Sequence, residues 1–164
     1  MLAPYRLMVV DDSAAIRGLL IRALETDPEV AVIASASNGK AALVVLERHD
    51  VEVVILDIEM PVMDGLTALP KLLAAKPNIK VIIASTLTRR GADISIRALA
   101  AGAADYLTKP GSLALSSADQ FKRELLAKVK VLAHAGRTAA ALRAIPAPGA
   151  RRLVEVPPAE AAPH

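Results

Sequence analysis

Five short, mostly apolar runs alternate along this chain with five segments whose apolar residues recur at helical spacing. The runs lie at residues 7–10, 30–34, 53–56, 81–84 and 105–107. The segments that follow them repeat alanine, valine, leucine and isoleucine every three or four residues, which predicts amphipathic helices. Strands that alternate with helices over short connections form a parallel sheet with right-handed crossovers and helices on both faces. We therefore predict an α/β, doubly wound sheet of five parallel strands.

The composition agrees with such a core. Hydrophobic residues make up 54% of the chain and aromatic residues only 2%, so the core must consist of aliphatic side chains. Aliphatic strands are typical of parallel sheets that are buried on both faces. One common arrangement of five such (βα) units is the flavodoxin-like strand order 2-1-3-4-5, which is the order we expect here.

The sequence disfavours several classes of protein. The absence of cysteine excludes disulfides and thiolate metal sites. The first apolar run stops at Asp11, too early for a signal peptide, and no stretch reaches the roughly 18 to 20 apolar residues of a membrane span. The net charge is +3, but the basic residues are scattered, so nucleic acid is not an expected partner. We expect a cytoplasmic protein without membrane insertion.

Polar side chains occur where four of the five predicted strands end. Asp11 and Asp12 follow the first strand, Asp57 ends the third, Ser85 ends the fourth and Lys109 follows the fifth. The carboxyl ends of parallel strands share one edge of the sheet, and ligands bind at that edge. These residues, although distant in sequence, should therefore meet in a single crevice.

The predicted cluster has the chemistry of phosphoryl transfer. Neighbouring carboxylates repel one another, but they become favourable around a hard cation such as Mg²⁺, which prefers oxygen ligands. A lysine and a hydroxyl can hold phosphoryl oxygens, and a carboxylate that attacks phosphorus forms an aspartyl-phosphate. Each of these residues alone could be a helix cap or a loop residue. Gathered at consecutive strand ends, they indicate a functional site.

Four segments carry a specific resemblance to a known family. They are Val-Val-Asp-Asp-Ser at 9–13, Leu-Asp-Ile-Glu-Met-Pro-Val-Met-Asp-Gly at 56–65, Ala-Ser at 84–85 and Leu-Thr-Lys-Pro at 107–110. Together they resemble the response-regulator receiver family over residues 5 to 133. The resemblance implies that Asp57 accepts a phosphoryl group from a histidine kinase. It also implies Mg²⁺ as the cofactor, held by Asp12 and Asp57 with Asp11 nearby and the backbone carbonyl of Glu59 as a further ligand.

The resemblance assigns the remaining polar positions to phosphate binding and switching. Ser85, Thr86 and Lys109 correspond to the residues that hold the phosphoryl group or respond to it. Tyr106 matches the aromatic residue that turns inward when the Ser85 hydroxyl moves to the phosphate. The alternative for Tyr106 is an ordinary aromatic side chain on an edge strand.

A narrower resemblance concerns the output of the switch. Segments 85–91 and 121–129 are similar to the receiver half of chemotaxis protein-glutamate methylesterases, which implies a chemotaxis-type kinase and a C-terminal methylesterase domain as partners. The sequence contains no G-x-S-x-G nucleophile elbow, so the esterase itself is not expected within it. We predict a receiver domain at 1–135 and a Pro/Ala/Arg-rich linker or disordered tail at 136–164.

Two other functions remain open from the sequence. The chain could be a stand-alone receiver that acts by binding another output protein. It could also be a phosphatase with Asp57 as nucleophile and Glu59, two residues later, as general acid, although the Asp11–Asp12 pair argues against this. One local question also remains, because Pro70 either lies in the first turn of the third helix, where proline is tolerated, or kinks that helix.

Overall fold

The computed structural model describes residues 2–86, 89–109 and 115–145, which form five strand–helix units. The strands β1 to β5 span Tyr5–Val10, Val30–Ala36, Val53–Asp57, Lys80–Ser85 and Asp105–Thr108. The helices α1 to α5 span Ala14–Leu24, Gly39–Arg48, Gly65–Ala75, Arg89–Ala100 and Leu115–Ala144. All paired strands are parallel, and their order is β2-β1-β3-β4-β5. The predicted fold class and strand order are confirmed.

The sheet separates two apolar layers, because successive side chains of a strand point to opposite faces. Met8 and Val10 of β1 face one layer, which α2, α3 and α4 cover. Leu7 and Val9 face the other layer, which α1 and α5 cover. β1 and β3 lie inside the sheet and are buried on both faces, which explains why their sequences are continuously apolar.

Side-chain caps start three helices shortly after the strands that precede them. Ser13 accepts a hydrogen bond from the backbone N–H of Ile16 and begins α1. Asn38 begins α2 in the same way, and Asp64 begins α3 through the N–H of Thr67 at 2.8 Å. Each cap satisfies a backbone donor that the helix leaves free. Each of these helices therefore begins within a few residues of the preceding strand, and the strand ends remain together at one edge of the sheet.

Gly65 allows the first turn of α3 to lie directly against the end of β3. Its N–H donates to the carbonyl of Ile58 at 2.8 Å, and a Cβ at this position would lie 2.2 Å from the backbone oxygen of Asp57. No other residue fits so close an approach without movement of the backbone. The glycine thus fixes the loop that surrounds Asp57.

Pro70 lies in the interior of α3, so its placement in the first turn is wrong. Because proline has no backbone N–H, one hydrogen bond of the helix backbone is absent. The ring is exposed, and α3 continues to Ala75. The buried face of α3, which includes Leu69 and Leu72, still packs in the core. The proline therefore does not disturb the site.

Helix α5 continues beyond residue 136, where the sequence predicted the start of a linker. The guanidinium of Arg137 donates to both carboxylate oxygens of Glu52 and to the backbone carbonyls of Ala3 and Pro4, at 2.7 to 2.9 Å. The apolar period fades in this stretch, but its alanines have a high helix propensity and the helix persists to Ala144. Residues 146–164 of the predicted linker lie outside the described residues. Within the described residues, no helix has both the length and the apolar character that a membrane crossing requires.

Candidate functional site

Three carboxylates converge at the carboxyl ends of β1 and β3. Oxygen atoms of Asp11, Asp12 and Asp57 all lie within 4.8 Å of one another. Asp11 and Asp57 are buried, with 1% and 5% of their surface exposed, whereas Asp12 is exposed. Oδ1 of Asp11 accepts a hydrogen bond from the N–H of Ser13 at 2.9 Å, which holds this carboxylate in place. The predicted convergence of the three acids is therefore present.

Lys109 places its ammonium group between the two buried carboxylates. Nζ lies 2.8 Å from Oδ1 of Asp57 and 2.8 Å from Oδ2 of Asp11. The backbone N–H of Lys109 donates to the carbonyl of Ser85 at 2.7 Å, which ties the end of β5 to the end of β4. One positive charge thus faces two buried negative charges.

The electrostatic environment raises the pKa of Asp57 but leaves its carboxyl mostly ionised at neutral pH. Burial raises the pKa of its carboxyl to about 6, and the charge of Asp11 adds to this, while the contact with Lys109 lowers it without compensating fully. Burial also lowers the pKa of Lys109, but the contacts with Asp11 and Asp57 together outweigh it and raise this pKa. The cluster therefore carries a strong local excess of negative charge at neutral pH.

The donor set fits a hard divalent cation. Within the described residues, Oδ2 of Asp11 accepts no hydrogen bond of good geometry, so the approach of Lys109 is an ion pair without hydrogen-bond alignment. Apart from this ammonium the oxygen has lone-pair capacity left for a further ligand. Carboxylate oxygens in this arrangement are the ligands that Mg²⁺ prefers. Asp11, Asp12 and Asp57 could therefore hold the ion.

A cavity of about 260 Å³ joins the acidic cluster to the predicted phosphate-binding residues. It is lined by Asp12, Asp57, Ser85, Thr86 and Lys109, together with neighbouring residues that include Glu59. The carboxylate of Glu59 lies 3.6 Å from Nε of Arg90, and both side chains are largely exposed. The role of the Glu59 backbone carbonyl as a metal ligand stays a prediction.

The loop between β3 and α3, whose first residues Ile58 and Glu59 line this cavity, is strained at Val62. Val62 has a φ of 71°, which is unfavourable for a β-branched residue, and it lies at the centre of a turn in which the N–H of Met63 donates to the carbonyl of Pro61 at 2.7 Å. The loop is held from the opposite side by the N–H of Gly39, which donates to the carbonyl of Met63. Strain of this kind is typical of functional loops.

Tyr106 lies outside the cavity. Its side chain is 44% exposed on β5, and the ammonium group of Lys128 lies 5.2 Å from the centre of its ring. The same ammonium donates to the backbone carbonyl of Tyr106 at 2.6 Å. The structure thus has this aromatic side chain in an outward orientation, and its role as a switch stays a prediction.

Two further polar residues lie at the site and were not predicted from the sequence. Ser95 on α4 is buried, and its Oγ lies 3.2 Å from Oγ of Ser85. Arg17 on α1 donates to the backbone carbonyl of Asp11 at 2.7 Å. A signal for Ser95 exists, because it lies next to Ile94 on the buried face of an amphipathic helix, where a serine needs a partner. The sequence contains no comparable signal for Arg17.

Residues 7–116 match the response regulator receiver domain family, and the chain belongs to that family. It is 62% identical over 135 residues to a protein-glutamate methylesterase/protein-glutamine glutaminase of Rhodospirillum centenum, in an alignment that covers 82% of this chain and 34% of the relative. The chain spans about a third of the length of the curated relatives that it matches.

Solved structures agree with this assignment. The fold is similar to the response regulator domain of Thermotoga maritima CheB, with a TM-score of 0.70 and 38% identity over 80% of this chain and 97% of that domain. It is also similar to a chain in the complex of the CheA3 P1 domain with CheY6 from R. sphaeroides, with a TM-score of 0.64, 33% identity and coverage of 79% and 97%. The predicted family and the narrower resemblance to methylesterase receivers are confirmed, and the phosphatase alternative gains no support.

Proposed function

We propose that Asp57 is the phosphoryl acceptor of this receiver domain and that the reaction requires Mg²⁺. The observation that carries the proposal is the position of the Lys109 ammonium, 2.8 Å from both Asp57 and Asp11 at the cavity that Ser85 lines. A nucleophilic carboxylate, a cationic partner and a hydroxyl donor lie together there. Phosphoryl transfer depends above all on such positioning and charge neutralisation.

The proposed metal ligands are Asp11, Asp12, Asp57 and the backbone carbonyl of Glu59. The buried Oδ2 of Asp11, which Lys109 approaches without an aligned hydrogen bond, supports this assignment. So does the exposure of Asp12, which leaves one carboxylate accessible from solvent. When bound, Mg²⁺ supplies positive charge that offsets the repulsion between the carboxylates and the incoming phosphoryl oxygens.

In the proposed reaction, a carboxylate oxygen of Asp57 attacks the phosphorus of a phosphohistidine. A bond between oxygen and phosphorus forms, the phosphorus–nitrogen bond breaks, and the donor imidazole leaves with the electron pair of that bond. The product is a mixed anhydride on Asp57. Lys109, Ser85 and Thr86 hold the phosphoryl oxygens. A chemotaxis histidine kinase is the proposed donor, since a structurally similar chain is found in complex with a CheA3 P1 domain.

The proposed output is control of a protein-glutamate methylesterase domain in a cytoplasmic chemotaxis phosphorelay. The relatives that support this bear the methylesterase name, and the part of them that aligns with this chain is about a third of their length. Phosphorylation adds negative charge that Lys109 and Ser85 can approach. The face formed by α4, β5 and α5 exposes apolar side chains, among them Ile96, Leu99 and Tyr106, and is the proposed surface through which the change is transmitted.

Intact mass after incubation with Mg²⁺ and acetyl phosphate tests the acceptor. We expect a labile gain of one phosphoryl group on the native chain and no gain on Asp57→Asn or in the presence of EDTA. Glu47→Gln is a control, since it changes an exposed carboxylate on α2 outside the site and should still be labelled. If neither acetyl phosphate nor a cognate kinase labels the native chain, the proposal is wrong.

A further inference from the structure

A buried hydrogen-bonded pair of serines links the proposed phosphate site to α4. Ser95 is 3% exposed and Ser85 is 7% exposed, and their Oγ atoms lie 3.2 Å apart. Oγ of Ser95 also lies 2.9 Å from the backbone carbonyl of Gly91, one turn earlier in the same helix. Nothing in the proposed transfer reaction uses Ser95.

The direction of these two hydrogen bonds follows from counting protons. A serine hydroxyl has one proton, and a carbonyl oxygen can only accept. The shorter contact, to the Gly91 carbonyl, therefore takes the proton of Ser95. Ser95 must then accept the proton of Ser85, since both hydroxyls cannot donate to each other. The Ser85 hydroxyl thus donates its single proton to Ser95 of α4.

We propose that Ser95 is a positioning residue that competes with the phosphoryl group for the Ser85 hydroxyl. This inference rests on the proposed function, in which Ser85 donates to a phosphoryl oxygen on Asp57. Ser85 cannot donate to both acceptors with one proton, so phosphorylation must end its donation to Ser95. Ser95 can donate to Ser85 in return only if it releases the carbonyl of Gly91. A phosphoryl oxygen is charged and is the stronger acceptor. Transfer of the Ser85 hydrogen bond from Ser95 to the phosphoryl oxygen is therefore favourable. The loss of the bond to Ser95 makes this transfer less favourable than it would otherwise be.

The same exchange couples the site to the outer face of α4. Ser95 lies on the buried side of this helix, and the adjacent side chain of Ile96 is 66% exposed. While the Ser85–Ser95 bond is intact, it ties the first half of α4 to the end of β4. Loss of the bond releases that attachment, which is a discrete two-state change of the kind that can transmit a signal.

Binding of BeF₃⁻, a phosphoryl analogue, in the presence of Mg²⁺ tests the competition. In Ser95→Ala the Ser85 hydroxyl has lost its partner in the free protein, so we expect BeF₃⁻ to bind about three- to tenfold more tightly, the size of one buried hydrogen bond. The measurement is ¹⁹F NMR of the bound anion. The affinity for Mg²⁺ alone should not change, because Ser95 does not contact the acidic cluster.

Three variants separate this mechanism from a general effect on α4. Ser95→Thr keeps a hydroxyl that can bond one turn back and should bind BeF₃⁻ like the wild type. Ala100→Gly lowers helix propensity at an exposed position of α4 and should also leave the affinity unchanged. Ser95→Cys replaces the hydroxyl with a weak hydrogen-bonding group and should resemble Ser95→Ala.

A double-mutant cycle with Ser85→Ala completes the test. Without the Ser85 hydroxyl, Ser95→Ala should have no effect on BeF₃⁻ affinity. If the wild type binds BeF₃⁻ normally and Ser95→Ala binds it equally or more weakly, the role of Ser95 is wrong but the proposed function still stands. Failure of the wild type to bind BeF₃⁻ with Mg²⁺ would overturn the proposed function, and the inference with it.

Discussion

The ammonium of Lys109 and the carboxylate of Asp57 form a buried ion pair of 2.8 Å between the ends of β5 and β3. The pair is not balanced, because the same ammonium also faces Asp11. Burial and the second carboxylate together exceed the effect of Lys109, so the pKa of Asp57 rises to about 6. This arrangement of charges therefore favours the binding of a cation and does not stabilise the metal-free fold.

Asp57→Asn should stabilise the metal-free protein at neutral pH. The folded pKa of about 6 lies above the ordinary value of 3.8, so the native state binds the proton more tightly and loses stability as pH rises from 4 to 6. Removal of the charge should raise the free energy of unfolding by about 1–3 kcal/mol at pH 7.5. Urea unfolding in EDTA measures this difference, which should shrink below pH 6 and vanish near pH 4.

The matched control for that series is Asp119→Asn. This carboxylate is exposed on α5, so its substitution should leave the pH dependence of unfolding unchanged. An Asp57→Asn variant that is less stable than the wild type at pH 7.5 in EDTA would show that the ion pair with Lys109 outweighs the cost of burial.

Lys109→Met should destabilise the metal-free protein and increase its response to Mg²⁺. The variant leaves two buried carboxylates without a cation, which costs about 3–5 kcal/mol for a broken buried pair. Mg²⁺ can replace the lost charge, so saturating Mg²⁺ should raise the melting temperature more than in the wild type. Thermal unfolding with and without Mg²⁺ is the measurement. Lys40→Met, which alters an exposed lysine on α2, should show the wild-type response.

Asp12→Asn should weaken Mg²⁺ binding and leave the metal-free fold intact. Asp12 is exposed, so its carboxylate contributes little to folding, but it is one of the three oxygen donors of the cluster. Changes even to the partners of metal ligands commonly cost 10- to 100-fold in affinity, so we expect a loss of about tenfold or more. A Mg²⁺ titration followed by thermal shift measures it. Asp93→Asn, on the adjacent cleft, should bind Mg²⁺ normally, and equal losses in both variants would indicate a diffuse charge effect rather than a ligand.

The sequence predicted the fold and the acidic cluster because both follow from local patterns. Aliphatic runs that end at Asp11 and Asp57 specify a buried strand and its polar end together, and the parallel topology then brings those ends to one edge. Neither prediction required knowledge of a specific side-chain contact between residues distant in sequence. The same logic placed Ser85 and Lys109 beside them.

The features that the sequence did not predict depend on which partner a side chain finds in three dimensions. The buried bond of Ser95 to Ser85 needs the exact rotation of α4 over β4, which periodicity does not fix. The pairing of Arg137 with Glu52 spans 85 positions, and no local pattern links them. The outward side chain of Tyr106 similarly depends on Lys128 of α5.

Arg137→Ala should destabilise the receiver, because Arg137 holds the far end of α5 to the start of β3. Burial raises the pKa of Glu52, but the hydrogen bonds from Arg137 and from the backbone of Arg6 outweigh it and lower that pKa. A lowered pKa contributes stability that is present above the ordinary value of 4.5 and is lost as pH falls. We expect a loss of about 1–3 kcal/mol at pH 7, for hydrogen bonds to charged groups, and a smaller loss at pH 3.

Denaturant unfolding of chains that end at residue 135 and at residue 145 tests the same contact and the predicted domain boundary. The shorter chain lacks Arg137 and should be less stable by a similar amount, whereas Arg143→Ala in the longer chain, at an exposed position near its end, should have little effect. Equal stability of the two chains would place the boundary at 135 and make the end of α5 dispensable. A clear loss in the shorter chain would instead include residues 136–144 in the folded receiver, since the ion pair with Glu52 joins this segment to the sheet.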